Sequence, residues 1–273
     1  MTRILIPVDF TSCSLSACNF GSTLAHQMKA EVYLFHAYEG ISDAEVEESR
    51  NRAEKNIEDI LQKLSSNISL ENSAEIRVHK ILRHGSALEG ISDVAKEIEP
   101  DLILISTSSI GDKVKKVLGS RSYKIIRSVE IPVLSLPDEF GNEAVFPLKI
   151  GFIAGNDALA LKSFKSLLTL SSFLASEIHL IELCPFGTPD CDSKLNIEIK
   201  QLVESMESPV KLINHVIDSI PVIESIDQLI EREGFDMISV ATQNKKFLSR
   251  LLFPGIMKHL YFNFEIPMLI LHS

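Results

Sequence analysis

The stretch Arg3-Ile4-Leu5-Ile6-Pro7-Val8-Asp9, near the start of the chain, and its return later in the sequence decide the fold. The run of branched apolar residues, closed by proline and aspartate, predicts a short buried β-strand followed by a turn. The segment Lys149-Ile150-Gly151-Phe152 repeats the pattern 146 residues later. Such a repeat has to be recognised before local structure is assigned, because it determines the whole architecture.

Three further pairs of segments repeat in the same order: residues 30–34 with 176–180 at the offset of 146, then residues 101–105 with 236–240 and 130–134 with 265–269 at an offset of 135. Two constant offsets that differ by 11 residues indicate one architecture present twice, with a shorter middle in the second copy. We place the shortening in the charged segment between Tyr38 and Asn56. The sequence therefore predicts a tandem duplication.

Within each copy, short apolar runs alternate with longer amphipathic segments. In the first copy the predicted strands are residues 4–8, 32–36, 76–81, 102–105 and 133–136, and the predicted helices are residues 12–28, 44–64, 87–98 and 119–128. Strands separated by helices form βαβ units, which need a mostly parallel sheet covered on both faces. The predicted fold class is α/β, with two tandem, doubly wound, five-stranded parallel-sheet domains at residues 1–137 and 148–273. A Pro, Gly, Asp and Asn cluster predicts the linker, residues 138–147.

Composition argues against several classes of function. The 273 residues carry 27 basic and 37 acidic side chains, a net charge of −10, so we expect no nucleic-acid partner. No apolar run reaches the ~18–20 residues that span a bilayer, and the first strand is too short for a secretory signal, so we expect a cytoplasmic protein without a membrane partner. The four cysteines form no CxxC pair and the eight histidines no HxxxH or HExxH pattern, so neither a metal site nor a disulfide framework is expected.

A ligand of such a fold binds beyond the carboxyl ends of the strands, where the strand order reverses. Three segments of the first copy should meet there: Pro7-Val8-Asp9, His36-Ala37, and Ile105-Ser106 with the loop that follows. Gly119-Ser120 begins the next predicted helix. Its free N–H groups, its hydroxyl and the positive end of the helix dipole would suit a phosphate.

Several of these residues have a second interpretation. Ser120 is alternatively a plain helix N-cap, and Asp9 either accepts hydrogen bonds from a ribose or a base amino group or caps the helix that begins near Ser12. Basic residues near the loop either reduce phosphate repulsion or form a solvated helix face; they are Lys113, Lys115, Lys116 and Arg121. For each of these residues, both interpretations stay open at the level of sequence.

Together these segments resemble the universal stress protein family. The resemblance rests on residues 4–11, 34–37, Gly85 with its following helix, 101–105, Gly119-Ser120 and 131–134, and the duplication is similar to the family's tandem two-domain members. It covers nearly the whole chain, clearly in the first copy and weakly in the second. The resemblance implies a Rossmann-like three-layer fold and pairing of the domains through their fifth strands as an intramolecular pseudo-dimer. In one branch of the family it also implies binding of ATP, with Mg²⁺, through Gly-x2-Gly-x9-Gly-Ser/Thr.

The first copy departs from that motif. Ser106 and Ser109 stand where its first two glycines would, and each adds a Cβ where the backbone must approach the triphosphate. Gly111 and the two serine hydroxyls offer substitutes for the lost glycines. The candidate nucleotide-binding residues are Pro7, Val8, Asp9, Ala37, Ile105, Ser106, Ser109, Gly119, Ser120 and Arg121.

The second copy departs further. Gly155 takes the place of Asp9, and the motif positions become Ala241, Asn244, Pro254 and Gly255. Proline has no backbone N–H to offer a phosphate. We expect the second domain to be structural, covering the edge strand of the first domain, and to be silent toward ATP.

Two principal hypotheses of function follow. The first is a cytoplasmic universal stress protein, a non-catalytic stress-response regulator that binds ATP in domain 1 only. The second is a nucleotide-free structural or interaction protein of the same fold that acts through protein partners. A homodimer of whole chains stays open, as does the identity of the partner. A third hypothesis, an enzyme that handles adenine nucleotides, is disfavoured because the sequence has neither a GxSxG elbow nor a P-loop.

Overall fold

The computed structural model describes residues 2–68, 76–106, 124–126, 128–137, 140, 148–155, 158–183, 194–218, 221–242, 256, 259–260 and 266–272. The chain divides into two compact units, unit 1 (Met1–Ala144) and unit 2 (Val145–Ser273). Among the described segments, no helix combines the length and the apolar character needed to cross a membrane.

Unit 1 is a five-stranded parallel sheet whose strands alternate with helices. Its strands are β1 (Arg3–Pro7), β2 (Glu31–Tyr38), β3 (Val78–His84), β4 (Leu102–Ser106) and β5 (Val133–Leu136), and its described helices are α1 (Ser12–Met28), α2 (Asp43–Ile68) and α3 (Ala87–Ile98). The strand order is β3-β2-β1-β4-β5, and every pairing is parallel. The order reverses at β1, so the carboxyl ends of β1, β2 and β4 border a crevice.

Unit 2 repeats this arrangement. Its strands are β6 (Leu148–Gly155), β7 (Ala175–Leu183), β8 (Lys211–Ile217), β9 (Met237–Thr242) and β10 (Met268–His272), and its described helices are α4 (Ala158–Leu174), α5 (Lys194–Ser205) and α6 (Val222–Glu233). The order β8-β7-β6-β9-β10 matches that of unit 1 strand for strand, and the pairings are again parallel. The predicted α/β fold with a duplicated parallel sheet is confirmed.

The core of unit 1 is centred on β1. Ile4, Leu5 and Ile6 are all fully buried, because a central parallel strand is covered on both faces. Helix α1 lies close against this strand at Gly21, where an added Cβ would come within 2.4 Å of the Ile6 side chain. A side chain larger than hydrogen at position 21 would therefore force Ile6 to move.

Helix α2 explains why the second copy has a shorter middle. Its buried side chains, Ala53, Ile57, Ile60 and Leu64, recur at helical spacing, as the amphipathic pattern predicts. It has 26 residues, whereas its counterpart in unit 2, α5, has 12. The residues missing from the second copy therefore come at least partly from this helix.

The predicted element boundaries are most accurate where a cap marks them. Helix α1 has the predicted limits because Thr11 is its N-cap and Lys29 adopts the left-handed conformation at its C-cap. Strand β3 was predicted at residues 76–81 but runs from Val78 to His84, pairing with β2 as far as the Tyr38–His84 register pair. Its end carries polar side chains, so hydrophobicity alone places it too early. Within predicted helix 119–128, the described residues 124–126 and 128 are helical.

Candidate functional site

A cavity of about 930 Å³ lies within unit 1, at the carboxyl ends of β1, β2 and β4. Six of the ten predicted site residues line it: Pro7, Val8, Asp9, Ala37, Ile105 and Ser106. The other four, Ser109, Gly119, Ser120 and Arg121, lie outside the described residues, as does Gly111. The structure therefore brings together the three strand ends that the sequence predicted would meet.

Asp9 braces the turn between β1 and α1. Its Oδ1 accepts hydrogen bonds from the Thr11 hydroxyl (2.6 Å) and from the Thr11 backbone N–H (3.1 Å). The Thr11 hydroxyl oxygen in turn accepts from the backbone N–H of Ser14 (3.3 Å). Thr11, rather than Asp9, is thus the N-cap of α1. Burial raises the pKa of Asp9, but the hydrogen bonds from Thr11 outweigh it, so the pKa is lowered and the carboxyl is ionised at neutral pH.

The residue after Asp9 is held in an uncommon backbone conformation. Phe10 has φ +64°, a left-handed conformation that costs an L-residue with a bulky side chain about 1–3 kcal/mol. Its ring packs against His36, with the centroids 4.3 Å apart. His36 Nδ1 donates to the carbonyl oxygen of Val8 at 2.7 Å. This bond joins the ends of β1 and β2 and fixes the imidazole with Nε2 as its second polar atom.

Two basic side chains that the sequence did not single out also line the cavity. Arg52 comes from α2, and Lys124 follows the part of the chain that leads away from β4. Arg52 is exposed and pairs with Glu48 at 2.7 Å. Both lie far in sequence from the strand ends, so only the fold brings them to the cavity. They place positive charge around a site that also contains the Asp9 carboxylate.

The equivalent end of unit 2 carries different groups. Gly155 ends β6 and Ala241 lies in β9, whereas Asn244, Pro254 and Gly255 lie outside the described residues. Glu182 occupies the position of His36 by the 146-residue offset and is buried. The described part of this end thus has no carboxylate at the position of Asp9 and has a buried one at the position of His36 instead.

The family of the chain follows from its sequence and fold together. The sequence model of the Universal stress protein family matches residues 1–137, which is half of the chain. The chain belongs to the universal stress protein family. The match ends after β5, so the family's sequence pattern is carried by the strands and helices that surround the cavity of unit 1.

Two solved structures share the fold of this universal stress protein over almost its whole length. A universal stress protein from Archaeoglobus fulgidus DSM 4304 gives a TM-score of 0.76 at 15% identity, covering 99% of this chain and 98% of its own. A functionally unknown protein from Pseudomonas aeruginosa PAO1 gives 0.59 at 12% identity, covering 100% of this chain and 93% of its own. No curated protein matches the sequence. These similarities establish the fold.

A second group of polar side chains lies in unit 2, on the middle of two neighbouring strands and at the end of a helix. His179, His215 and Glu233 each place one potential metal-binding atom within 4.8 Å of the others. They are separated by 36 residues and by 18 residues along the chain. No short spacing motif identifies them, and the sequence led us to expect no metal site. The only trace in the sequence is that the repeat places a histidine, His179, where the first copy has Tyr33.

Proposed function

We propose that this universal stress protein is a non-catalytic regulator that binds an adenine nucleotide, ATP with Mg²⁺, in unit 1 and not in unit 2. The observation that carries the proposal is the cavity of about 930 Å³ at the reversal of strand order. Its volume is within the ~300–1,000 Å³ typical of small-molecule sites. Family membership and the six predicted residues that line the cavity support the same conclusion.

The side chains around the cavity suit the parts of a nucleotide. The Asp9 carboxylate retains acceptor capacity beyond its two bonds to Thr11, which serves ribose hydroxyls or a base amino group. Val8, Ala37 and Ile105 supply apolar lining for a base. The Ser106 hydroxyl and the cations Arg52 and Lys124 supply donors and positive charge for phosphates.

Calorimetric titration of the ligand-stripped chain with MgATP tests the proposal. We expect one site per chain and at least about tenfold weaker binding by Asp9→Asn, since the charged acceptor is lost while an amide oxygen still reaches Thr11. The matched control is Asp93→Asn, an exposed carboxylate of α3 that pairs with Lys96. Equal affinity for wild type and Asp9→Asn would contradict the assigned role of Asp9. We also expect ATP recovered after titration to be unhydrolysed.

One observation favours a second function, a nucleotide-free protein that acts through protein partners. Ser106 is half-buried at the end of β4, where the family's ATP motif has glycine, and its Cβ restricts approach of a triphosphate. Ser106→Gly separates the two functions. Under the first proposal, this variant binds MgATP at least as tightly as wild type. Absence of binding to both chains at millimolar MgATP would support the nucleotide-free function.

Unit 2 has a structural role in this proposal. Gly155 offers no carboxylate at the position of Asp9, so a ribose or base amino group loses the acceptor it has in unit 1. A titration stoichiometry of two would contradict this assignment, and a stoichiometry of one that is sensitive to Asp9→Asn would support it.

A further inference from the structure

The strongest unassigned chemistry lies in unit 2, where the middle of two neighbouring strands meets the end of a helix. His179 is on β7, His215 is on the neighbouring strand β8, and Glu233 is the last residue of α6. We call these three residues the unit 2 histidine cluster. His179 Nδ1 lies 2.7 Å from His215 Nε2 and 3.9 Å from Glu233 Oε2. The two imidazole planes are within 11° of parallel, so both rings are fixed relative to each other.

Glu177 orients the buried histidine. His179 Nε2 donates to Glu177 Oε1 at 2.6 Å, which leaves Nδ1 with a lone pair directed toward His215 and Glu233. A carboxylate that holds the remote ring nitrogen in this way is the usual partner of a metal-binding histidine, because it fixes the tautomer and makes the ligating nitrogen more basic. Glu177 in turn accepts a hydrogen bond from Lys211 at 2.9 Å, which holds its carboxylate in place.

We propose that His179 Nδ1, His215 Nε2 and a carboxylate oxygen of Glu233 bind one divalent transition-metal ion, with Zn²⁺ the ion that suits this donor set. Two imidazoles and one carboxylate are a recurrent three-residue zinc set, in which a water molecule takes the fourth position. Imidazole nitrogen also distinguishes such an ion from Mg²⁺ and Ca²⁺, which prefer oxygen.

Binding requires a small rearrangement. Two nitrogens on one tetrahedral Zn²⁺ lie about 3.3 Å apart, given Zn–N bonds of about 2.0–2.1 Å, whereas they are 2.7 Å apart here. In the metal-free pair, His215 Nε2–H donates to His179 Nδ1. On metal binding, His215 takes the other neutral tautomer, with its proton on Nδ1, so that Nε2 offers a lone pair to the ion. His179 is buried and packs edge-on against Phe235 at 5.0 Å, so it stays in place. His215 is half-buried and moves outward, which also gives the ion access from solvent.

The cations beside the cluster are paired with two carboxylates, those of Glu177 and Glu233. Lys149 lies 3.6 Å from Glu233 and 3.9 Å from Glu177, Lys211 bonds Glu177 at 2.9 Å, and Arg232 bonds Glu233 at 3.0 Å. Metal and Lys149 compete for Glu233, but Lys149 keeps its shorter bond, 2.6 Å, to the Glu233 carbonyl oxygen.

Zinc titration of the full chain, stripped with a chelator and kept reduced, tests the proposal. We expect one Zn²⁺ per chain and at least about a hundredfold loss of affinity in His215→Gln, which removes one of three ligands. Glu177→Gln should weaken binding about 10–100-fold, since it acts only by orienting His179. The matched control is His79→Gln on β3 of unit 1, where the imidazole packs on Tyr33 at 4.5 Å. This variant should bind Zn²⁺ as wild type does.

Cobalt as a probe locates the ion independently. Co²⁺ bound to two imidazoles and one carboxylate gives the intense visible bands of a tetrahedral site, and we expect them in wild type and not in His215→Gln. A sulfur-to-cobalt charge-transfer band would place the ion on a cysteine and overturn the proposal. Equal Zn²⁺ affinity in wild type and His215→Gln would overturn it as well. Circular dichroism with chelator present establishes that each variant is folded, and Glu233→Gln provides a second test if His215→Gln does not fold.

Discussion

The two units share one framework contact, although a different cation makes it in each. In unit 1 the Arg3 backbone N–H donates to Asp101 Oδ2 at 2.8 Å, and the Arg3 guanidinium donates to the carbonyl oxygen at the end of α3 at 2.6 Å. In unit 2 Lys149 makes the same two contacts, to Asp236 Oδ2 at 2.7 Å and to the end of α6 at 2.6 Å. Duplication has thus kept the geometry that ties the first strand to the fourth, while the residue that supplies the charge has changed.

The units differ in the polar residues of their strands and strand ends. After the first strand, unit 1 has Asp9 where unit 2 has Gly155, and within the second strand unit 1 has Tyr33 where unit 2 has His179. The interior positions remain apolar in both. The sheet thus keeps its fold when polar groups on its strands are exchanged, as long as the core and the framework contact persist. The two units therefore carry different polar groups on one shared framework, which is where a difference in function would arise.

Among the features that the two units share, loss of core packing should lower the free energy of unfolding most. Phe152 is fully buried and meets Phe164 edge-on at 5.3 Å, so Phe152→Ala should lower the free energy of unfolding of unit 2 by about 3–5 kcal/mol. Ile6→Ala, at the equivalent buried position of unit 1, should cost about 2–5 kcal/mol. Urea unfolding, followed in each unit by hydrogen exchange, measures both. Phe173→Ala is the control, because that ring is 43% exposed, and an equal cost there would contradict the assigned core.

Loss of the framework contact should lower the free energy of unfolding by less, and by a similar amount in the two units. Asp101→Ala and Asp236→Ala each leave one strand N–H without its carboxylate acceptor, so each should lower the free energy of unfolding by about 1–2 kcal/mol. The measurement is again urea unfolding, with exposed Asp93→Ala expected to stay within about 0.5 kcal/mol of wild type. If only one of the two framework variants were destabilised, the contact would stabilise one unit and not the other despite its preserved geometry, and the prediction would be wrong.

The sequence was sufficient for the fold because the signals were local or repeated. Ile4, Leu5 and Ile6 identified a central strand, and the two constant offsets identified the second sheet. Boundaries were accurate for α1, which has a threonine cap, and inaccurate for β3. The last residues of β3 are in the strand because they pair with β2. This pairing continues to His84 even though the side chains there are polar. Sequence patterns record burial, whereas strand length depends on the neighbouring strand.

The candidate sites were less accessible to sequence reasoning. Asp9 and Ser106 could be placed at one cavity because parallel strands end at the same edge of the sheet. Arg52 could not be placed at this cavity from the sequence, because the pattern of an exposed helix face does not indicate which of its residues lies over a cavity. The unit 2 histidine cluster was missed because its members meet only through the pairing of β7 with β8 and through the end of α6. Adjacency of that kind is a property of register, which a spacing motif does not record.

The smallest expected effect on stability concerns Glu177, near the amino end of β7, and its counterpart Glu31 in unit 1. Glu177 is ionised with a pKa of about 2 because Lys211, and then His179, donate hydrogen bonds to it. A folded-state pKa below the unfolded value stabilises the protein above the unfolded value, about 4.5, and the contribution is lost as pH falls toward 2. Glu177→Gln, measured with chelator present, should therefore destabilise unit 2 at pH 7 by no more than about 1 kcal/mol, since solvent screens the pair.

Thermal unfolding of wild type and Glu177→Gln from pH 7 to pH 2 follows the loss of that contribution. The difference in midpoint should narrow below pH 4.5 and be mostly lost near pH 2, where about half of the folded wild-type molecules carry a protonated, uncharged Glu177. Glu31→Gln is the matched control in unit 1, where a hydrogen bond from the Tyr33 hydroxyl is the first cause that lowers the pKa of Glu31. Its charged partner, Arg77, lies 3.3 Å away, farther than the 2.9 Å between Lys211 and Glu177, so the Glu31→Gln difference should be smaller. A Glu177→Gln difference that persisted at pH 2 would show that shape and packing, rather than charge, distinguish the two amino ends.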